Sequence, residues 1–115
     1  MGKLTTHVLD VYHGRPAVNM TIELWRVETG REKLTTIQTN DDGRCDMPLL
    51  VGDAIATGDY ELVFFVRDYF ENSAPPVESP FLNKVPIRFT FFDATQHYHV
   101  PLLVSPWTYS TYRGS

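Results

Sequence analysis

Apolar and polar residues alternate over short stretches along most of the chain, and turn residues separate these stretches. In residues 19–27, Met20, Ile22 and Leu24 occupy every second position, as they do in a strand that buries one face. The run Asn40-Asp41-Asp42-Gly43 is a strong turn signal, because these residue types tolerate positive φ angles. About eight short strands with this spacing are typical of an all-β sandwich. We predict them at residues 4–12, 19–27, 33–39, 44–47, 60–66, 85–92, 97–105 and 109–113.

One segment departs from the strand pattern. Residues 68–73 are predicted to form a helical turn or short helix that ends before Pro75-Pro76, because proline interrupts a helix. The Pro-rich stretch at residues 74–80 is a loop, too short to separate two domains. A chain of 115 residues is of ordinary size for one domain. We therefore expect a single domain over residues 1–115.

Composition and charge narrow the possible partners and location. Hydrophobic residues make up 43% of the chain and the net charge is −4, which favours a folded core and disfavours nucleic acid or an anionic membrane as partner. Cys45 is the only cysteine, so no intrachain disulfide can form, as suits a reducing compartment. We see no signal peptide and no apolar run near the roughly 20 residues of a membrane span. A cytoplasmic location is expected.

Three histidines are the first candidate functional residues. His7 lies in the middle of the first predicted strand, where either a structural or a catalytic role is open. His97 and His99 are two residues apart on a strand and so project from the same face. They could bind a metal, but a zinc site needs about three or four ligands, and no other motif supplies them. General acid–base work by one histidine is at least as plausible, because a neutral imidazole can take a proton from water near pH 7.

Two further candidates for a functional role are an arginine after a turn and the last four residues of the sequence. Arg44 comes directly after the Asn40-Asp41-Asp42-Gly43 turn, where it is either solvated or used to recognise a carbonyl or carboxylate. Tyr112-Arg113-Gly114-Ser115 is either a dangling end or a segment tucked into the fold. We call these four residues the tail segment.

Four motifs in this order resemble the transthyretin-like (prealbumin-like) family, and most closely its branch that hydrolyses 5-hydroxyisourate. The motifs are Leu4-Thr5-Thr6-His7-Val8-Leu9-Asp10, Asp42-Gly43-Arg44, His97-Tyr98-His99-Val100-Pro101-Leu102-Leu103 and the tail segment. The resemblance covers essentially the whole chain. It implies a two-sheet sandwich of eight strands with one short helix, assembled as a homotetramer that is a dimer of dimers. It also implies that the first, fourth, seventh and eighth strands share a sheet whose face lines a channel between the dimers.

The same resemblance implies an activity and residue roles. The expected reaction is the hydrolysis of 5-hydroxyisourate to 2-oxo-4-hydroxy-4-carboxy-5-ureidoimidazoline in urate (purine) catabolism, without cofactor or metal. His7, His99 and Arg44 are the expected catalytic residues, and His7, Arg44 and Tyr112 the expected substrate-binding residues. Arg113 and Ser115 are expected to anchor the tail segment. The alternative is a transthyretin-type carrier that binds an aromatic ligand in a central channel.

Overall fold

Two β-sheets pack face to face in the computed structural model, which describes residues 1–114. The first sheet has the order β2-β1-β8-β9 with β5 also paired to β1, and the second has the order β4-β3-β6-β7. The strands are β1 (Lys3–Asp10), β2 (Arg15–Pro16), β3 (Thr21–Arg26), β4 (Glu32–Gln38), β5 (Leu50–Val51), β6 (Gly58–Phe65), β7 (Lys84–Phe91), β8 (His97–Val104) and β9 (Tyr109–Thr111). One 3₁₀ turn (Gly52–Ala54) and one α-helix, α1 (Val66–Glu71), complete the described elements. The predicted two-sheet sandwich with one short helix is confirmed.

The core lies between the sheets and comes mainly from alternate strand residues of both, with a contribution from the buried side of α1. The largest side chains with essentially no exposure are Tyr60, Phe64, Phe70, Phe91, Leu4, Met20, Ile22, Leu24, Leu62 and Leu102. Full burial of one such apolar side chain contributes roughly 1.5–3 kcal/mol. These residues therefore decide which face of each strand turns inward and, by alternation, which residues remain on the outer face.

The predicted strand at residues 44–47 is wrong. Arg44 makes only an isolated antiparallel bridge to His7, and the chain joins the sheet again at β5. Gly43 adopts φ +75°, and its carbonyl accepts a hydrogen bond of 2.8 Å from the backbone of Val8. The turn therefore makes one backbone hydrogen bond to β1, and the chain bends at Asp46.

Helix α1 begins two residues earlier than predicted. Its first backbone donors, those of Val66 and Arg67, both point at the carbonyl of Asn83, at 3.1 and 3.0 Å. This long-range contact satisfies donors that a helix start leaves free and could not be read from local sequence. The last strand also ends earlier than predicted, at Thr111. Within residues 1–114, no helix has the length and apolar character needed to cross a membrane.

Candidate active site

The outer face of the first sheet carries the predicted histidines. On β1, Leu4, Thr6 and Val8 are buried, so alternation places Thr5 and His7 on the outer face. Both are half-buried there. The burial of the core therefore selects the face on which His7 is displayed.

Strand β8 repeats this arrangement. Tyr98 and Val100 are 5% and 6% exposed and belong to the core. His97 and His99 consequently project from the outer face, His97 exposed and His99 half-buried. The sequence prediction that these two imidazoles share a face agrees with this pattern.

The parallel pairing of β1 with β8 brings the two strands' side chains together. Eight residue pairs form, with Thr5 opposite His99 and His7 opposite Pro101. Arg44 bridges to His7 from the other side of β1. His7, His99 and Arg44, far apart in sequence, thus meet on one sheet face.

Tyr112 lies on the same face but farther away. Gly114 forms an antiparallel bridge to His99, and the register of the β8–β9 pair, continued to that bridge, places Tyr112 opposite Pro101. Strands are spaced about 4.8 Å apart, so Tyr112 is about 10 Å across the sheet from His7. Its side chain is 60% exposed. Within one chain, Tyr112 therefore flanks the histidine and arginine cluster and does not sit inside it.

A groove of about 440 Å³ opens beside His99. We call it the histidine groove, and its lining residues are Lys3, Thr5, Thr6, Arg44, Cys45, Met47 and His99. Arg44 is exposed, so its guanidinium can reach a ligand in the groove. A groove with this lining offers a fixed cation and a proton acceptor to a small polar molecule.

Each catalytic candidate histidine has one nitrogen engaged. His7 donates from Nε2 to the carbonyl of Asp42 at 2.9 Å; a carbonyl only accepts, so neutral His7 carries its proton on Nε2 and leaves Nδ1 bare. Nδ1 of His99 lies 2.8 Å from Oγ1 of Thr5. Nε2 of His99 is therefore the nitrogen left for chemistry.

Burial and nearby charges shift the pKa values of three side chains at or near the groove, those of His7, His99 and Cys45. Burial, with a smaller contribution from the Arg44 guanidinium, lowers the pKa of His7 and of His99, and His7 further lowers that of His99. Both imidazoles are thus favoured in the neutral, proton-accepting form. Burial, assisted by Asp46, raises the pKa of the Cys45 thiol to about 11, so this thiol is not an activated nucleophile.

Two residues of the tail segment, Arg113 and Gly114, lie against β8. The Arg113 guanidinium lies 4.2 Å from the ring centroid of Tyr98 and donates to Gln96 Oε1 at 3.0 Å and to the carbonyl of His97 at 3.1 Å. Gly114 donates from its backbone to the carbonyl of His99 at 2.7 Å. These contacts are those that an anchoring residue makes. Ser115, the other expected anchor, lies outside the described residues.

His97 lies apart from the cluster. It borders a second groove with Tyr112 and Arg113 and is exposed at the start of β8. Among residues 1–114, no group of three or more histidine, cysteine, aspartate or glutamate side chains is placed to hold a metal ion. The possible metal pair His97 and His99 thus has no third ligand of these types within the described chain.

Sequence reasoning missed two groups at the site, the Thr5 hydroxyl and the Asp42 carbonyl. Thr5 carried a signal, because it lies two residues before His7 and so shares its strand face. Its position opposite His99 depends on the parallel register, which no local pattern specifies. The Asp42 carbonyl is main chain, so residue types could not reveal it.

Comparison with known proteins places this chain in a family. Residues 4–114 match the HIUase/transthyretin family. The chain belongs to this family. Its relatives include 5-hydroxyisourate hydrolase 2 of Rhizobium meliloti (strain 1021), which is 54% identical over 99% of this chain and 97% of that protein.

Solved structures of family members agree on the architecture. A crystal structure of (S)-allantoin synthase superposes with a TM-score of 0.91 at 45% identity; the match covers 99% of this chain but spans only 44% of that one. Sea bream transthyretin in complex with thyroxine superposes with a TM-score of 0.87 at 23% identity, over 97% of this chain and 94% of that one. At that identity the transthyretin likeness concerns the HIUase/transthyretin fold alone.

Proposed function

We propose that the protein hydrolyses 5-hydroxyisourate to 2-oxo-4-hydroxy-4-carboxy-5-ureidoimidazoline. The observation that carries this proposal is the 54% identity, over nearly all of both chains, to a 5-hydroxyisourate hydrolase. The reaction adds water across a ring amide: the water oxygen bonds to the carbonyl carbon, the C–N bond breaks, and the nitrogen takes a proton. It needs no oxidant or reductant, so no redox cofactor is required.

His7, His99 and Arg44 have separate roles in the proposed reaction. One imidazole of the pair His7 and His99 takes the proton of the attacking water, and the other polarises the substrate or passes the proton to the leaving nitrogen. Arg44 stabilises the negative charge that develops on the carbonyl oxygen, where a fixed cation is most effective. The lowered pKa values of His7 and His99 support these roles, because a base must be neutral before it can accept a proton.

The tail segment completes the site in the proposed assembly. Tyr112 closes the pocket over the substrate, and Arg113 anchors the segment through Tyr98 and Gln96. We propose a homotetramer, a dimer of dimers, whose facing sheets enclose the histidine groove. Support comes from exposed apolar side chains on the loops beside the first sheet, Val11, Tyr12 and Trp107, which a partner would cover. The free Cys45 thiol fits a cytoplasmic location.

An ultraviolet assay tests the proposed activity. Freshly generated 5-hydroxyisourate decays by itself, and we expect micromolar protein to accelerate the loss of its absorbance. Addition of a chelator is expected to leave the rate unchanged, since the proposed mechanism uses no metal. Decay at the uncatalysed rate would reject the hydrolase. Tight binding of an aromatic ligand such as thyroxine without turnover would support the carrier instead, although Arg44 and His99 make the groove unsuitable for a large apolar ligand.

The pH dependence of kcat should reflect the lowered histidine pKa values. A general base works unprotonated, so activity is lost as the pH falls through its pKa. Because burial and Arg44 hold the pKa of His99 below its usual value of about 6.5, we expect the midpoint of this loss of kcat to lie below pH 6.5. Initial rates across a buffer series measure this limb. A midpoint above pH 6.5 would contradict the assignment of a base with a lowered pKa.

Substituting Gly114 should disturb the reaction through His99. A β-carbon at residue 114 would lie 2.7 Å from Cδ2 of His99, so Gly114→Ala must displace the imidazole or the tail segment. A misplacement of about 1 Å can cost up to 10²-fold, and we expect kcat to fall by about 10- to 100-fold. The matched control is Gly30→Ala, because a β-carbon there has no atom within 4 Å. Equal rates in the two variants would remove Gly114 from the site.

A further inference from the structure

A side-chain hydrogen bond links the two strands at the centre of the site. Thr5 Oγ1 lies 2.8 Å from Nδ1 of His99, and the two residues are directly opposite each other in the eight-pair parallel ladder of β1 and β8. Both side chains are half-buried and both line the histidine groove. The pairing of the two strands thus places the Thr5 hydroxyl next to the His99 imidazole.

We propose that Thr5 is a positioning residue for the reaction, whose hydroxyl accepts a hydrogen bond from Nδ1–H of His99 and so makes Nε2 of His99 the nitrogen that takes the proton from water. This assignment rests on the proposed hydrolysis and deepens it, because it names His99 as the general base. His7 then acts on the substrate or returns the proton.

The contrast with His7 favours His99 as the base. The only tautomer of neutral His7 that satisfies the Asp42 carbonyl carries the proton on Nε2. A peptide carbonyl cannot exchange roles, so the neutral imidazole of His7 is held in a single tautomer. His99 lines the histidine groove, whereas His7 is not among the residues that border it. In this proposal the attacking water lies in the groove, next to Nε2 of His99 and the Arg44 guanidinium.

When the Thr5 hydroxyl acts as acceptor, its hydrogen bond with Nδ1 of His99 is the same before and after proton transfer. When Nε2 of His99 takes a proton, the imidazolium must donate from both nitrogens. If Nδ1 already donates to Thr5 in the neutral state, the same hydrogen bond persists and strengthens as the ring gains charge. In the opposite orientation the hydroxyl would donate to Nδ1. The neutral ring would then carry its proton on Nε2, and Nε2 could not take a proton from water. Groups that need no reorganisation stabilise a transition state best.

Nitrogen NMR of the histidine side chains tests the tautomer without any assay of activity. For the wild-type protein above the His99 pKa, we expect His99 to be protonated on Nδ1 and bare on Nε2. In Thr5→Val, which keeps the shape of threonine but removes the acceptor, we expect the population to move toward the Nε2-protonated form. Wild-type His99 protonated on Nε2 would overturn the proposal.

Kinetics provide the second measurement. Thr5→Val should lower kcat by about 10- to 100-fold, as loss of an outer hydrogen-bond partner does for metal-bound imidazoles, while KM changes little. Thr5→Ser retains the hydroxyl and should recover most of the rate. Thr36→Val is the matched control, because Thr36 is exposed on β4 of the other sheet. A folded Thr5→Val protein with wild-type kcat and wild-type His99 signals would overturn the positioning role.

Failure of the proposed function is distinguishable from failure of this inference. If the wild-type protein does not accelerate the decay of 5-hydroxyisourate, the hydrolase proposal is rejected and the catalytic part of the inference falls with it. The tautomer spectra then still decide whether Thr5 sets the protonation of His99. If the wild-type protein is active and Thr5→Val has the same kcat and the same His99 signals, the hydrolase proposal stands and only the inference about Thr5 is rejected.

Discussion

Replacing His99 by alanine is expected to lower kcat for 5-hydroxyisourate hydrolysis by about 10²–10⁴-fold, the usual cost of losing a general base. The imidazole of His99 lies beside Arg44 in the histidine groove, and its lowered pKa keeps it neutral at pH 7. The variant should remain folded, because His99 projects from the outer face and leaves the core intact. Initial rates measured by ultraviolet absorbance, together with thermal unfolding, separate catalysis from stability.

A neighbouring histidine supplies the control for this experiment. His97 lies on the same strand and the same face but is exposed, and alanine there should leave kcat near the wild-type value. His7→Ala should also lower kcat by at least about 10²-fold, because both imidazoles handle protons in the proposed reaction. Near-wild-type turnover in His99→Ala would remove His99 from the mechanism, and the same result in His7→Ala would remove His7.

Arg44→Met is expected to lower kcat by about 10²–10³-fold, the typical cost of losing one group that stabilises an oxyanion. The substitution keeps the length of the side chain and removes its charge. It should also move the acid limb of the kcat profile toward higher pH, because the Arg44 guanidinium contributes to the lowered pKa of both His7 and His99. Two independent readouts, a rate and a pH midpoint, therefore report on one guanidinium.

The comparison variants for Arg44 distinguish charge from geometry. Arg44→Lys retains the charge and should restore the pH midpoint more fully than the rate, since an ammonium lacks the planar fork of arginine. Arg88→Met, in the other sheet on β7, removes an exposed arginine together with its ion pair to Glu61, and kcat should stay near the wild-type value. An Arg44→Met protein with normal kcat and a normal acid limb would show that Arg44 is only a solvated residue.

The outer-face histidines could be predicted from sequence because they follow from alternation. His7, His97 and His99 occupy positions that the buried residues of β1 and β8 leave pointing outward. That reasoning uses only local spacing and hydrophobic burial, which a single sequence contains. The sandwich class followed from the same signals, repeated along the chain and punctuated by turns.

Other parts of the site depend on contacts that local sequence does not encode. Arg44 was expected on a strand, but the turn before it makes only one backbone hydrogen bond to β1, between Gly43 and Val8. The chain then leaves the sheet. The parallel register that sets Thr5 against His99 joins residues 94 positions apart. Tertiary packing chooses such a register, and the alternating pattern is compatible with several.

The pairing of β1 with β8 has a consequence for how the protein matures. Strand β1 leaves the ribosome about 5–20 s before β8, at typical rates of synthesis of about 5–20 residues per second. Pairings between such distant segments raise the contact order and slow folding toward the millisecond-to-second range. Until β8 arrives, β1 presents unpaired backbone groups to other nascent chains. Catalytic competence therefore appears only after this long-range pairing has formed, which makes turnover a sensitive reporter of complete folding.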